Sequence, residues 1–435
     1  MRFYNRERET QTLQSIENMS AEYAQMTVIT GRRRIGKTTL IRHAFKRLPL
    51  IYFFVGRKSE AMLCRELTEI VKNVLGDELG TFTSMSALFS SLMNISKQKN
   101  FTLVFDEFQN FSTVNASFFS DMQHLWDNHK DESQMNLVLC GSLYSMMTKI
   151  FDDRKEPLYG RATHRIRLQP FTLDTLKEIM REHHPEYMPD DLLTFYMVTG
   201  GVAKYVEQLI MHHAFTKETI IQTVFSYGSY FLEEGRDMLS DEFGKEYGNY
   251  FSILAAIASG ETSRGEITNY TGIECGGHLD KLEKSYDLIN RLRPYLQPEG
   301  SRNLKYELKD NFLTFWFRFI YKYRSAIEIG NLEYVQEKVL ADYETFSGKI
   351  LERYFRQKYR ETGFYNIVTN YWEKNNLNEI DLIAVNEVDH ILIIGECKRN
   401  AKRINLHTLQ EKSQTILQKQ KRFKAEYVGM SLDDM

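Results

Sequence analysis

The sequence contains no C-x-x-C pair: its four cysteines, Cys64, Cys140, Cys275 and Cys397, stand far apart. That spacing encodes neither a zinc site nor a disulfide framework, and it suits a reducing compartment. An apolar leader is also lacking, because the chain opens with Arg2, Arg6, Glu7, Arg8 and Glu9 where an export signal needs a hydrophobic stretch. Nor is there a long apolar run. The most apolar window, Phe312 to Tyr323, is interrupted by Arg318 and Lys322, whereas a spanning helix needs about 20 apolar residues. A cytoplasmic protein without membrane contact is expected. Internal repeats and low-complexity tracts are absent. The formal net charge of -2 offers nucleic acid no overall attraction, so any such contact must come from local basic patches.

What is present is enough chain for several domains: 435 residues exceed the size at which one hydrophobic core stops growing. The first third alternates short apolar runs with helix-like stretches, the pattern of a parallel sheet covered by helices. Strands are expected at Met26 to Thr30, Leu50 to Phe54, Phe101 to Asp106, Asn136 to Cys140 and Arg165 to Leu168. Helices are expected to start near Lys37, Ser59, Ser84, Ser117 and Ser142. Residues 171–245 show helical spacing of apolar residues and no strand run, as a helical lid would. Residues 246–330 read as three helices and a hairpin, with strands at Leu288 to Leu292 and Leu304 to Leu308, the outline of a winged helix followed by a connecting helix. Residues 331–435 read as a helix (Gly348 to Tyr359), strands at Glu379 to Val385 and His390 to Glu396, and a helix from Asn405 to about Gln420. The expected fold class is therefore α/β and multidomain.

Gly31-Arg32-Arg33-Arg34-Ile35-Gly36-Lys37-Thr38 matches the phosphate-binding loop in full, after a strand and before a helix. Glycines let the loop's N–H groups converge on phosphate oxygens, and the following helix presents its positive end to the same anion. Gly31, Arg32, Arg34, Ile35, Gly36, Lys37, Thr38 and Thr39 are the expected nucleotide contacts. Lys37 would reach the β- and γ-phosphates of ATP, and Thr38 would ligate Mg²⁺. The apolar strand ending in Asp106-Glu107 supplies the partner feature: Asp106 for the Mg²⁺ shell, Glu107 to polarise the attacking water. Ser142 stands either to sense the γ-phosphate or as a plain helix N-cap. Arg161 is either an arginine finger acting on a neighbouring subunit or one half of a surface salt bridge.

A second constellation lies near the C-terminus. Alternate residues of a strand face one way, so Glu396 and Lys398 project together, and Asp381 on the adjacent strand can join them. Two acids beside a lysine are what metal-assisted phosphodiester hydrolysis needs, with Mg²⁺ on Asp381 and Glu396 and the lysine on the water. Glu352, on the preceding helix, is a further metal ligand or a structural acid. Arg399, Lys402 and Arg403 add positive charge nearby.

Taken together, Gly31 to Thr38, Leu103 to Gln109, Leu158 to Arg161, Gly200-Gly201, Asp310 to Phe319 and Asp381 to Lys398 make the chain resemble the prokaryotic archaeal-type P-loop ATPases of the STAND and AAA-like group. Those proteins carry a C-terminal restriction-endonuclease-like domain of the PD-(D/E)xK type. The resemblance implies a nucleotide-binding sheet, helical lid, winged helix and nuclease-like domain in that order, and a role in defence or mobile-element biology. Two departures stand out. Asn378-Glu379-Ile380 precedes Asp381 where the pattern has proline, and the loop carries three arginines. The expected function is an ATP-regulated, Mg²⁺-dependent DNA nuclease that forms a homo-oligomer. The alternatives are an ATP-driven assembly switch whose C-terminal domain binds DNA or protein without cutting, and a regulator using the winged helix.

Overall fold

Strands that are apolar without alternation belong at the centre of a sheet covered on both faces, and strands that alternate belong at its edges. The computed structural model describes residues 2–244, 247–374 and 377–435, which divide into the compact units Arg2–Gln169 and Pro170–Met435. In the first, β1 (Gln25–Thr30), β2 (Leu50–Phe54), β3 (Phe101–Asp106), β4 (Met135–Cys140) and β5 (His164–Arg167) form a parallel sheet in the order β2-β3-β4-β1-β5. β3 and β4 are buried at every position, while the edge strands β2 and β5 alternate. The order places β4 between β1 and β3, so the turn after Cys140 lies between the two strand ends that carry the motifs.

The core beside this sheet is rich in phenylalanine. Phe53, Phe89, Phe105, Phe108, Phe111 and Phe118 are all buried, and Phe105 meets Phe53 edge-on with ring centroids 6.1 Å apart. Each such ring contributes about 2 kcal/mol by leaving water, and such a pair adds about 1 kcal/mol more. This packing fixes the strand whose last residue is Asp106.

The second unit begins with the helices Leu173–His183, Pro189–Thr199, Ala203–Met211, Lys217–Val224 and Tyr230–Phe243. Three of these starts are capped by side chains: Thr172, Thr216 and Ser229 accept the N–H groups of Thr175, Thr219 and Phe231. Gly201, at φ 76°, closes the turn after the second helix. A Cβ there would stand 2.6 Å from the Phe171 carbonyl oxygen, so only glycine fits. Next come the helices Tyr247–Ser259, Arg264–Thr271 and Gly276–Lys284 and an antiparallel hairpin of β6 (Ile289–Leu292) and β7 (Lys305–Leu308).

The last sheet, of order β11-β10-β9-β8, holds β8 (Ile367–Tyr371), β9 (Ile380–Asn386), β10 (Ile391–Cys397) and β11 (Lys424–Met430). β10 is antiparallel to β9 and parallel to β11. Three features differ from the sequence reading. The helix over Gly348 to Tyr359 is the end of a 30-residue helix, Leu332–Glu361. β8 and β11 are additional strands. The helix expected from Asn405 to Gln420 is two, Leu406–Lys412 and Gln414–Lys419, broken at buried Ser413, whose hydroxyl bonds the Gln410 carbonyl at 2.9 Å and the Tyr427 hydroxyl at 2.8 Å. The segments of the lid and winged-helix readings that fall on Lys245 and Glu246 lie outside the described residues.

Candidate nucleotide site and acidic cluster

β1 runs out at Thr30, and the helix Lys37–Ala44 starts directly after Gly36. The loop between them turns on positive φ angles at Gly31 (151°), Arg34 (72°) and Gly36 (97°). A Cβ on Gly31 would lie 2.9 Å from the Leu168 carbonyl oxygen and 3.3 Å from Ile35 Cγ2, so the loop path demands glycine there. Ile35 is buried and anchors the loop from below, while Arg34, Thr38 and Thr39 are exposed and Arg32 is half-buried. Lys37 is buried, and its ammonium donates to the carbonyls of Gly31 at 2.9 Å and Arg32 at 3.3 Å. Burial pushes its pKa down against the pull of Cys140, Glu107 and Asp106.

Both Asp106 oxygens have partners. Oδ1 accepts the Glu107 N–H at 3.0 Å; Oδ2 takes the Thr38 hydroxyl at 3.4 Å and also the Tyr52 hydroxyl, which lies 3.1 Å from Thr38 Oγ1. Glu107 stands in the left-handed region at φ 55°, a conformation that costs a non-glycine residue on the order of 1–3 kcal/mol and that collects at functional sites. Its carboxylate accepts the Ser142 hydroxyl at 2.8 Å and the Gln109 side-chain amide. The strand order explains this, because Ser142 follows β4, the neighbour of β3.

Arg161 pairs with Asp127 at 3.1 Å and donates to the Tyr159 carbonyl at 2.8 Å. Tyr52 carries no motif and was not singled out in the sequence, and Gln109 only closes the stretch Leu103 to Gln109, with no role of its own. Tyr52 reaches Asp106 only because β2 pairs with β3, with Phe54 opposite Asp106.

In the second unit, β9 pairs with β10 so that Leu382 faces Gly395, which sets Asp381 and Glu396 at one end of the pair. Lys398 lies between them, its ammonium 3.6 Å from each carboxylate. Each acid is also pinned by a backbone N–H: Cys397 to Asp381 at 2.8 Å and Asn405 to Glu396 at 2.9 Å. Glu352 approaches from the long helix and pairs with Arg356 at 3.7 Å, and Arg356 also donates to the Asp381 carbonyl at 3.1 Å. Burial and then the charge of Asp381 push the Glu352 carboxyl up to about 7, and burial raises Asp381 too. Burial lowers the pKa of Lys398, but Asp381, Glu396 and Glu352 outweigh it and the net direction is up. Among the described residues, no group of three His, Cys, Asp or Glu closes into a metal-holding cluster. Arg399 is engaged with Asp190 at 2.9 Å and the Ser347 hydroxyl at 2.7 Å. Lys402 and Arg403 are exposed.

Residues 3–209 match the family of ATPase domains found predominantly in Archaea, and residues 316–416 match a family of archaeal and bacterial proteins of unknown function. An uncharacterised protein of Methanocaldococcus jannaschii is 28% identical over 414 residues, 91% of this chain and 87% of its own. A Walker-type ATPase of Pyrococcus abyssi is similar in structure with a TM-score of 0.55 at 18% identity, covering 73% of this chain and 96% of that one. The ORC2 protein of Aeropyrum pernix, in complexes with ADPNP and ADP, gives a TM-score of 0.49 at 13% identity over 77% of this chain and 95% of that one. The five-stranded parallel sheet with its glycine loop is thus a P-loop ATPase domain. Among the described residues no helix is long and apolar enough to cross a membrane.

Proposed function

We propose that the chain is a cytoplasmic, homo-oligomeric ATPase whose nucleotide cycle controls a Mg²⁺-dependent site that cuts DNA. The ATP half of the reading rests on the Lys37 ammonium, buried and held by the two loop carbonyls. A cation with three donors, kept in place by neutral oxygens, can turn to phosphate oxygens. The donor set fits magnesium: a threonine hydroxyl within 3.4 Å of a carboxylate is hard-oxygen chemistry, and Thr38 and Asp106 would hold the ion. Bound there, magnesium would neutralise charge on the phosphate oxygens. Glu107, fixed by Ser142 and Gln109, orients the attacking water and takes its proton, and Ser142 links that carboxylate to the nucleotide.

The nuclease half rests on Lys398 standing between Asp381 and Glu396. Two pinned carboxylates would offer oxygen ligands to a second magnesium, with Glu352 as a further ligand or a structural acid. Lys398 would orient the hydrolytic water, and exposed Lys402 and Arg403 would face the phosphate backbone. The helices of residues 171–245 are read as a lid, the helices and hairpin of residues 246–330 as a winged helix that packs between domains, and residues 331–435 as the nuclease-like domain. Arg161 acts on a neighbouring subunit if the oligomer brings a second nucleotide to it.

The test is incubation of the full chain with Mg²⁺ and linear, circular and single-stranded DNA, with and without ATP. Cleavage that is lost in Lys398→Ala and Asp381→Asn is expected. Intact DNA under all these conditions leaves the runner-up, an ATP-driven assembly switch that binds DNA or protein without cutting.

A further inference from the structure

A phenol with no place in the phosphate-loop pattern sits on the two groups that the ATP reading gives to magnesium. Tyr52, on edge strand β2, directs its hydroxyl to Asp106 Oδ2 and lies 3.1 Å from Thr38 Oγ1. The direct contact between Thr38 and Asp106 is long, 3.4 Å. With the Glu107 N–H on Oδ1, the two hydroxyls on Oδ2 leave the carboxylate one orientation. The ring is held in turn, because the Arg42 guanidinium stacks over it at 5.2 Å from its centroid, and Arg42 belongs to the same helix as Thr38.

We propose that Tyr52 is a positioning residue of the nucleotide site: it locks the Asp106 carboxylate beside the Thr38 hydroxyl and so sets the magnesium affinity of the bound nucleotide. The inference rests on the ATP reading above. A carboxylate free to rotate about its last bond presents the wrong oxygen part of the time, and the cation, unlike the phosphates, is sensitive to that. Lys37 and the loop amides contact the nucleotide without Asp106, so the phenol should matter little when magnesium is withheld.

The experiment is equilibrium titration of the full-length protein with a fluorescent, non-hydrolysable ATP analogue, in EDTA and over a magnesium series. Tyr52→Phe should bind the analogue in EDTA within about twofold of wild type. It should need about tenfold more magnesium for half-maximal enhancement, the worth of one charge-assisted hydrogen bond. Arg42→Met, which frees the ring but leaves the hydroxyl, should shift the same midpoint in the same direction by less. A Tyr52→Phe midpoint equal to wild type overturns the proposal. A midpoint at lower magnesium, meaning that the phenol competes with the cation, also overturns it, as does an equal loss of affinity in EDTA and in magnesium. Wild-type protein that binds no analogue under either condition refutes instead the ATP reading beneath it.

Discussion

Lys37 and Lys398 are the same side chain set to opposite purposes by their surroundings. Lys37 is buried against neutral carbonyls, and burial moves its pKa down; Lys398 is 40% exposed among carboxylates, and their charge moves its pKa up. A buried cation whose nearest partners are uncharged still has its main electrostatic debt outstanding, and an anionic ligand can settle it. A cation already shared by two carboxylates has no such need, and its role is to hold them or to act on a small neutral molecule such as water. The difference explains why a nucleotide is assigned to the first unit and a metal with a phosphodiester to the second.

The backbone shows the same contrast, and it can be broken by adding one methyl group to each region. Gly31→Ala has to place its Cβ 2.9 Å from the Leu168 carbonyl oxygen at φ 151°, so neither neighbour nor backbone can yield. A loss of about 1–3 kcal/mol is expected, seen as a lower melting temperature. In Gly395→Ala the Cβ would meet the Met430 methyl at 2.7 Å, a flexible end that can turn aside, and Leu382 Cβ at 3.0 Å, which has to give by a few tenths of an ångström. Its loss should be smaller, about 1 kcal/mol. Equal losses would show that the loop path is no more constrained than the interior of β10.

A subtler sharpening uses pH. The Glu352 carboxyl is raised from 4.5 to about 7 in the folded protein, so the folded state holds that proton more tightly than the unfolded chain. Its contribution to stability is therefore present at low pH and is lost as pH rises from 4.5 towards about 7. Asp381, also raised, acts in the same direction. Melting temperatures of wild type should fall across that range, and Glu352→Gln should flatten the fall. An unchanged slope would mean that the Glu352 carboxyl is not raised in the folded protein.

Much of the first unit was legible because its signals are local. Phe101 to Asp106 and Met135 to Cys140 are buried at every position and mostly apolar, as central strands covered on both faces are, and the glycine loop is contiguous. Asp106 and Glu107 could be located from the end of one strand. Tyr52 could not, because its meeting with Asp106 depends on strand order, and the left-handed Glu107 has no sequence signature. In the second unit the buried runs of β9 and β10 were legible, while β8 and β11 were not. Ile367-Val-Thr-Asn-Tyr and Lys424-Ala-Glu-Tyr-Val-Gly-Met are edge strands, half-buried and polar at intervals, which resemble loop until a neighbour is known. Asp381 and Glu396 share a strand pair and Lys398 follows directly after it, so period-two reasoning brings them together. The N–H groups that pin the acids come from Cys397 and from Asn405, the latter across a turn that no pattern specifies.

Lys37 rather than Lys398 is the cation expected to answer a nucleotide. Equilibrium titration of wild type, Lys37→Ala and Lys398→Ala with ATP and magnesium tests this most directly. Saturable binding is expected in wild type and Lys398→Ala, weakened about 100-fold or more in Lys37→Ala, where the charged hydrogen bonds to phosphate are gone. Equal affinity in all three proteins, or none in wild type, would contradict it.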